Sequence, residues 1–278
     1  RLDIGYDGAG FAGWAVQPDL RTVQGEVELA LGRALRMDRA PRTVCAGRTD
    51  TGVHARGQVA HSDVPRLAWQ SFTERGDGFV LRRLRSALPR DIQVARIAVA
   101  PEEFHARWSA SWRRYAYRVC DLLAGPDPLV RSYVLHRPGL GGSPLQLDAM
   151  NEAAQALLGE HDFAAFCRAR PGASTVRTLH ELRWSRDRHG LALLDVRADA
   201  FCHSMVRSLA GSLLEVGAGA VPRSRPAELL VGRVRDPHSQ VAPAHGLVLE
   251  EVHYPPDQDL GGAAIRAKRF RGDPDDLR

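Results

Sequence analysis

The sequence predicts an α+β protein made of two similar halves, each of the split βαβ kind. Extended runs and amphipathic runs of helical period succeed one another in the same order twice along the chain. Glycine and proline gather between those runs. The 278 residues, 44% of them hydrophobic, are enough to bury the core of one large domain or two ordinary ones.

In the first half, residues 2–6 (LDIGY) read as a strand. Thr22 is placed to cap a helix in which Val23, Val27, Leu31 and Leu35 recur at helical spacing. A short strand ends at Cys45, residues 58–64 (QVAHSDV) extend again, residues 78–88 (GFVLRRLRSAL) read as a helix and residues 92–99 (IQVARIAV) as a strand. The second half follows with a strand at 112–120 (WRRYAYRVC), a helix at 147–159, and strands at 178–186 and 191–199. A helix at 201–217 (FCHSMVRSLAGSLLEVG), a shorter one near PAELLVGR and a last strand at 247–254 complete it. The boundary is expected within APEEFHARWSA, giving an N-terminal half 1–105 and a C-terminal half 106–255. Residues 125–144, rich in Gly and Pro, read as a loop excursion, and 256–278 as a mobile tail.

Lys and Arg exceed Asp and Glu by 38 to 33, a net charge of +5 that favours a polyanionic partner. Lys268 is the only lysine, and arginine forks suit phosphates and base edges. No run of eighteen uncharged apolar residues and no signal-peptide pattern occurs, so a soluble, intracellular protein is expected, with a few natural residues preceding Arg1. Cys45, Cys120, Cys167 and Cys202 are scattered, without a CxxC pair or zinc spacing; reduced, buried thiols are expected. His54, His61 and Asp63 fit no compact metal site.

Residues 8–13 (GAGFAG) match G-x-G-x-x-G after a strand, and Glu28 stands where a ribose-binding acid would. That pattern raises a nicotinamide-dependent oxidoreductase as a rival. It requires a helix that starts inside the glycine turn, yet Pro18 interrupts and the helical period begins only after Thr22. A glycine loop that lets backbone approach backbone or a ligand is the preferred reading. No G-x-S-x-G, Walker A or H-E-x-x-H occurs, which removes the common hydrolase and NTPase signatures.

The stretch CAGRTDTGVHARGQV isolates one carboxylate, Asp50, beside Arg48 and before Gly52. An isolated D-x-G is ordinarily an Asx-turn. If residues 46–50 are extended, however, Arg48 and Asp50 share a side while Thr49 turns away, and a neighbouring guanidinium keeps a partly buried carboxylate ionised. No second carboxylate lies in the loop, so the paired acids of an ordinary glycosidase are not visible and Asp50 would act by addition.

GRTDTGVHARGQV, with YDGAGFAGW and TVQGEVELAL before it and FHARWSASWRRYAYRV, FCHSMVRSLAGSLLEVG and APAHGLVLEEVHYP after it, resembles the TruA-type tRNA pseudouridine synthases. The motifs stand in the family's order and cover residues 4 to about 255. Departures are small: Ala15 where GWQ is usual, and Ser208 where asparagine often follows the M-V-R arginine.

The resemblance implies two ferredoxin-like halves whose antiparallel or mixed sheets join and flank a basic RNA-binding cleft. It implies an isomerase that turns uridine into pseudouridine at positions 38, 39 and 40 of the tRNA anticodon arm, acting in the cytoplasm as a homodimer, with no cofactor, no metal and no membrane. Asp50 takes the family's nucleophile position, attacking either C6 of the base or C1′ of the ribose. Tyr115, which pattern alone would place in the core with Tyr117 and Val119, becomes the ring that stacks on the extruded uracil and helps remove the C5 proton. Arg207, on the edge of an apolar helical stripe, becomes the partner of Asp50; from residues alone Arg48 competes for that role. Arg48 is otherwise a loop and substrate contact, Leu247 an apolar wall against the base, and His54, Arg56, Arg113 and Arg114 candidate phosphate contacts. A catalytically silent RNA-binding protein on the same fold is the third reading.

Overall fold

The computed structural model describes residues 1–168 and 174–268. In chain order its elements are β1 (Leu2–Tyr6), α1 (Val23–Leu35), β2 (Thr43–Cys45), β3 (His54–Ser62), α2 (Arg66–Thr73), α3 (Asp77–Ala87), β4 (Ile92–Ile97), β5 (Trp112–Cys120) and β6 (Leu135–His136). There follow α4 (Leu147–Gln155), β7 (Gly159–Asp162), β8 (Val176–Arg186), β9 (Ala192–Ala198), α5 (Met205–Gly217), α6 (Arg225–Gly232), β10 (Leu247–His253) and α7 (Leu260–Lys268). The protein is α+β, and it divides into two compact units: residues 1–111 with 249–268, and residues 112–248. The division falls at 111/112, where a cut near 105 was expected, and residues 249–268 group with the first unit.

In the first unit β1 lies between β4 and β3, and β2 pairs with β3, all antiparallel. With α1 after β1 and α3 before β4, this is the split βαβ arrangement. Leu2, Ile4 and Tyr6 alternate inward along β1. Thr22 accepts the Gly25 N–H and so caps α1, whose Val23, Val27, Leu31 and Leu35 are all buried, as their spacing predicts. Strand β3 begins at His54, earlier than the hydrophobic run suggests, and serves two neighbours besides β1. Its residues 60–62 face β2, while Gly57 lies so close to Glu250 of β10 that a Cβ there would meet the Glu250 carbonyl oxygen at 2.2 Å.

In the second unit the order is β5-β9-β8-β7, with antiparallel pairing throughout and the two-residue β6 parallel to β5. Helix α5 buries Met205, Val206, Leu209, Ala210, Leu213 and Val216, the stripe read from sequence, and it packs with α4 and α6. It begins at Met205, not Phe201, after Ser204 in a left-handed conformation (φ 64°).

Four elements escaped the periodicity: α2, β6, β7 and α7 are short, and β7 (GEHD) has no apolar alternation. The cysteine expectation is corrected. Cys167 and Cys202 form a disulfide across 35 residues with their Cα atoms 5.8 Å apart, whereas Cys45 and Cys120 are free and buried. Burial pushes the Cys45 thiol up to about 12. Part of the segment read as a tail has regular structure. Residues 260–268 form α7, anchored by buried Leu260 and Ala263, and 269–278 lie outside the described residues. Among the described residues no helix is long and apolar enough to cross a membrane, and no three His, Cys, Asp or Glu side chains could hold a metal ion together.

An ion pair with a buried carboxylate ties the second unit's sheet to its excursion. Asp121, its side chain 1% exposed, accepts both terminal nitrogens of Arg186 at 2.6 Å and the Leu145 N–H at 2.7 Å. Burial pushes this carboxyl up, but the Arg186 fork and the Leu145 N–H outweigh it and hold it below its ordinary 3.8. A depressed folded pKa means that the stabilisation is complete above the unfolded value and is lost as pH falls through the folded one. Asp121→Ala is expected to cost about 3 kcal/mol at neutral pH, the low end for a broken buried pair because Arg186 is a third open to water. In urea denaturation the gap between wild type and variant should shrink below about pH 4.

Candidate active site

The Asp50 loop is built by the first unit. Strand β2 ends at Cys45, and residues 46–53 form the loop before β3 starts. Arg48 is exposed, Thr49 buried and Asp50 half-buried, so Thr49 does turn inward between them. The Asp50 carbonyl accepts the Val53 N–H (3.1 Å), closing the turn through Gly52 (φ 79°), and the Thr49 carbonyl accepts the Trp14 N–H (3.0 Å).

The glycine motif near the N-terminus lies against this loop. Gly8 to Gly10 make one 3-10 turn capped by Asp7. A Cβ on Gly8 would meet the Val53 carbonyl oxygen at 2.0 Å, and one on Gly13 (φ 90°) the Thr49 carbonyl oxygen at 2.8 Å. The next helix starts only at Val23, so no helix N-terminus meets the glycine turn. Glu28, the would-be ribose ligand, is buried and accepts from the Thr43 N–H (2.7 Å), the Thr43 hydroxyl (3.1 Å) and Gln24 Nε2 (2.8 Å), which secures the start of β2. The motif's glycines therefore serve close packing, and the dinucleotide reading is left without its helix and its acid.

Three further candidates belong to the second unit. Tyr115 on β5 is buried and meets Phe201 edge to face, with ring centroids 5.2 Å apart. Arg207 lies in the first turn of α5; its Nε donates to the Ala242 carbonyl at 2.7 Å, and the Ala242 N–H returns a bond to the Arg207 carbonyl at 3.0 Å. This reciprocal pair fixes the plane in which the guanidinium is presented. Leu247 is buried at the start of β10, just after the turn at Ala244–Gly246.

The segment 240–247 carries Leu247 and holds Arg207. Gly211 of α5 lets it approach, since a Cβ there would meet the Gln240 carbonyl oxygen at 1.9 Å. Tyr117, two residues beyond Tyr115, donates its hydroxyl to the Pro243 carbonyl at 2.7 Å, and Gly246 lies against its ring. Burial pushes the Tyr117 hydroxyl well above the ordinary phenol range, while the charges of Arg207 and Arg137 pull the other way. It stays protonated and serves as a donor.

Two of the expected phosphate contacts lie inside the fold. His54 is buried, with Nδ1 accepting the Gly8 N–H at 3.1 Å, and Arg113 is buried with a guanidinium nitrogen donating to the Asp199 carbonyl at 2.7 Å. Both stand on inward-facing strand positions, which charge alone conceals. Arg56 is exposed and pairs with Glu250 at 3.2 Å, and Arg114 is partly exposed and pairs with Asp195 at 3.2 Å. Sequence reasoning passed over Tyr6, Gln58, Tyr117 and Gly211; a buried glutamine or tyrosine on a strand gives no period signal.

With these arrangements in view, comparison with known proteins defines the class. Residues 153–255 match the family model of the tRNA pseudouridine synthases. The chain belongs to that family, whose members are isomerases acting on tRNA. It is 53% identical over 272 residues to tRNA pseudouridine synthase A of Streptomyces griseus, spanning 98% of this chain and 93% of that one. It is 51% identical to the protein of the same name from Frankia casuarinae over 98% of this chain and 94% of that one, and 46% identical to that of Mycobacterium leprae over the same shares.

The close approach at Gly211 supplies a direct check on the second unit. Gly211→Ala forces the 240–242 segment off α5, and it is expected to cost about 1–3 kcal/mol of stability. A thermal melt unchanged from wild type would show that the segment is not held there.

Proposed function

We propose that this protein converts uridine to pseudouridine at positions 38, 39 and 40 of the tRNA anticodon arm, with Asp50 as the nucleophile. The observation that carries the reading is the Asp50 loop, where a single half-buried carboxylate projects from backbone pinned on both sides. The reaction is an isomerisation: C1′–N1 breaks, the uracil rotates, C5–C1′ forms, and the C5 proton leaves while N1 gains one. One carboxylate adding to C6 or to C1′ is sufficient, and no electrons are exchanged with an outside group.

The target uridine must first leave its stack, at a cost of a few kcal/mol. Tyr115 supplies the stacking ring, a contact worth ~1–3 kcal/mol per base, and Leu247 the apolar wall. Arg207 supplies the counter-charge for the nucleophile. Arg48, Arg56 and Arg114 remain the arginines open enough to meet substrate phosphates. Action in the cytoplasm as a homodimer belongs to the same reading and rests on the resemblance.

Tritium release from tRNA transcripts carrying uridine labelled at C5 tests the reaction, because isomerisation must expel that hydrogen. Release by the intact protein and none above background by Asp50→Ala is expected. Release by both would remove Asp50 from its role; release by neither, with tRNA binding intact, would leave an RNA-binding protein without activity. Arg207→Lys should lose about tenfold or more in turnover, about 1.4 kcal/mol of barrier, since a point charge cannot replace the fork. Near-normal turnover in that variant would remove the role.

A further inference from the structure

We propose that Tyr6, Thr49 and Gln58 are positioning residues for Asp50: a buried, hydrogen-bonded chain that sets the backbone from which the carboxylate projects. The proposal rests on the reading of Asp50 as nucleophile and extends it to side chains that do not touch the substrate.

The three come from different elements of the first unit. Gln58 lies on β3 with no exposed surface, Tyr6 ends β1 and is 5% exposed, and Thr49 precedes Asp50 and is 7% exposed. Gln58 Nε2 donates to the Gly47 carbonyl at 2.7 Å and to the Tyr6 hydroxyl oxygen at 3.4 Å. The Tyr6 hydroxyl and Thr49 Oγ1 are 2.8 Å apart. The Tyr6 hydroxyl oxygen accepts from Gln58, and either hydroxyl can donate in its pair with Thr49, so the chain links Gln58, Tyr6 and Thr49. Gln58 Oε1 is occupied by the Val59 N–H at 3.2 Å, which leaves the amide group little freedom to turn over.

Strand register brings Tyr6 into this chain. Ile4 pairs with Gln58, so an even ladder would set Tyr6 opposite Arg56; a bulge sets it opposite Ala55 instead. Bulges commonly re-aim a side chain beside an active site. The result is that the loop is held at successive points before the catalytic position: Gly47 by Gln58, Thr49 through its side chain by Tyr6 and through its carbonyl by the Trp14 N–H. The Asp50 carbonyl is then closed onto Val53.

Stability does not call for this arrangement. Replacing both partners of a buried hydrogen bond by apolar groups of the same shape is often close to neutral, whereas a buried polar chain has to be satisfied throughout. What such a chain provides is one geometry, and a displacement of about 1 Å at a reacting group costs roughly a hundredfold in rate.

The test uses steady-state tritium release with Tyr6→Phe, Thr49→Val, Thr49→Ser and the Tyr6→Phe/Thr49→Val double variant, with Asp50→Ala alongside and thermal melts of each. Expected for Tyr6→Phe and Thr49→Val is a fall in kcat of about tenfold or more, with KM within about threefold of wild type. Thr49→Ser, which restores the hydroxyl, should recover most of kcat, and the double variant should lose little more than either single, since both cut the same chain. Should Tyr6→Phe fail to fold, the Thr49 pair decides alone. Wild-type kcat in Thr49→Val, a change in KM instead of kcat, or a lowered melting temperature with kcat intact would overturn the positioning role. If the wild type releases tritium and Asp50→Ala does not, such a result leaves the proposed function standing; release by Asp50→Ala overturns both.

Discussion

Residues 8–13 and 49–53 meet backbone to backbone, with no room between them for a β-carbon at Gly8 or Gly13. That approach is the constraint on which the Asp50 loop depends. It places the Trp14 N–H within reach of the Thr49 carbonyl and sets the Asp50 turn on a rigid floor. The loop cannot shift without displacing the connection from β1 to α1, and that connection is fixed in turn by the Thr22 cap and the Gln24–Glu28–Thr43 bonds. A carboxylate on a loop needs such support to hold one position, because loops are otherwise the mobile part of a fold.

The second unit solves a similar problem by similar means. Gly211 admits the 240–242 backbone onto α5, and Gly246 admits the next turn onto the Tyr117 ring. Tyr117 looks like a partner of Tyr115 in a row of core aromatics, yet its hydroxyl is directed at Pro243 and anchors the segment that holds Arg207. In both units a buried hydroxyl fixes a stretch of irregular backbone, and a glycine provides the space for it.

This division of labour suits an isomerase. Nothing has to be oxidised or reduced, so what the fold has to supply is fixed geometry. Polar side chains that contribute little to stability can therefore be essential to geometry. The arginines differ accordingly: Arg113 is buried and structural, whereas Arg114, Arg186 and Arg56 are partly or well exposed.

Much of the fold was legible in the chain, because burial of one face imposes a period. Val23, Val27, Leu31 and Leu35 announced α1, the run WRRYAYRVC marked β5 with both ends correct, and Met205 to Val216 marked the buried stripe of α5. The short or polar elements α2, β6 and β7 left no such period, and their existence follows from neighbours that only folding supplies. The candidate residues Asp50, Arg207 and Tyr115 were legible as motif positions. Their surroundings were not: His54 and Arg113 turned inward, Cys167 found Cys202 across 35 residues, and Tyr6 reached Thr49 through a bulge in strand register. Sequence by itself determined which residue types recur at which spacing, and hence the elements and the chemistry available. Tertiary structure alone decided which polar groups meet, since hydrogen bonds have a reach of about 3 Å and depend on long-range pairing that no local pattern encodes.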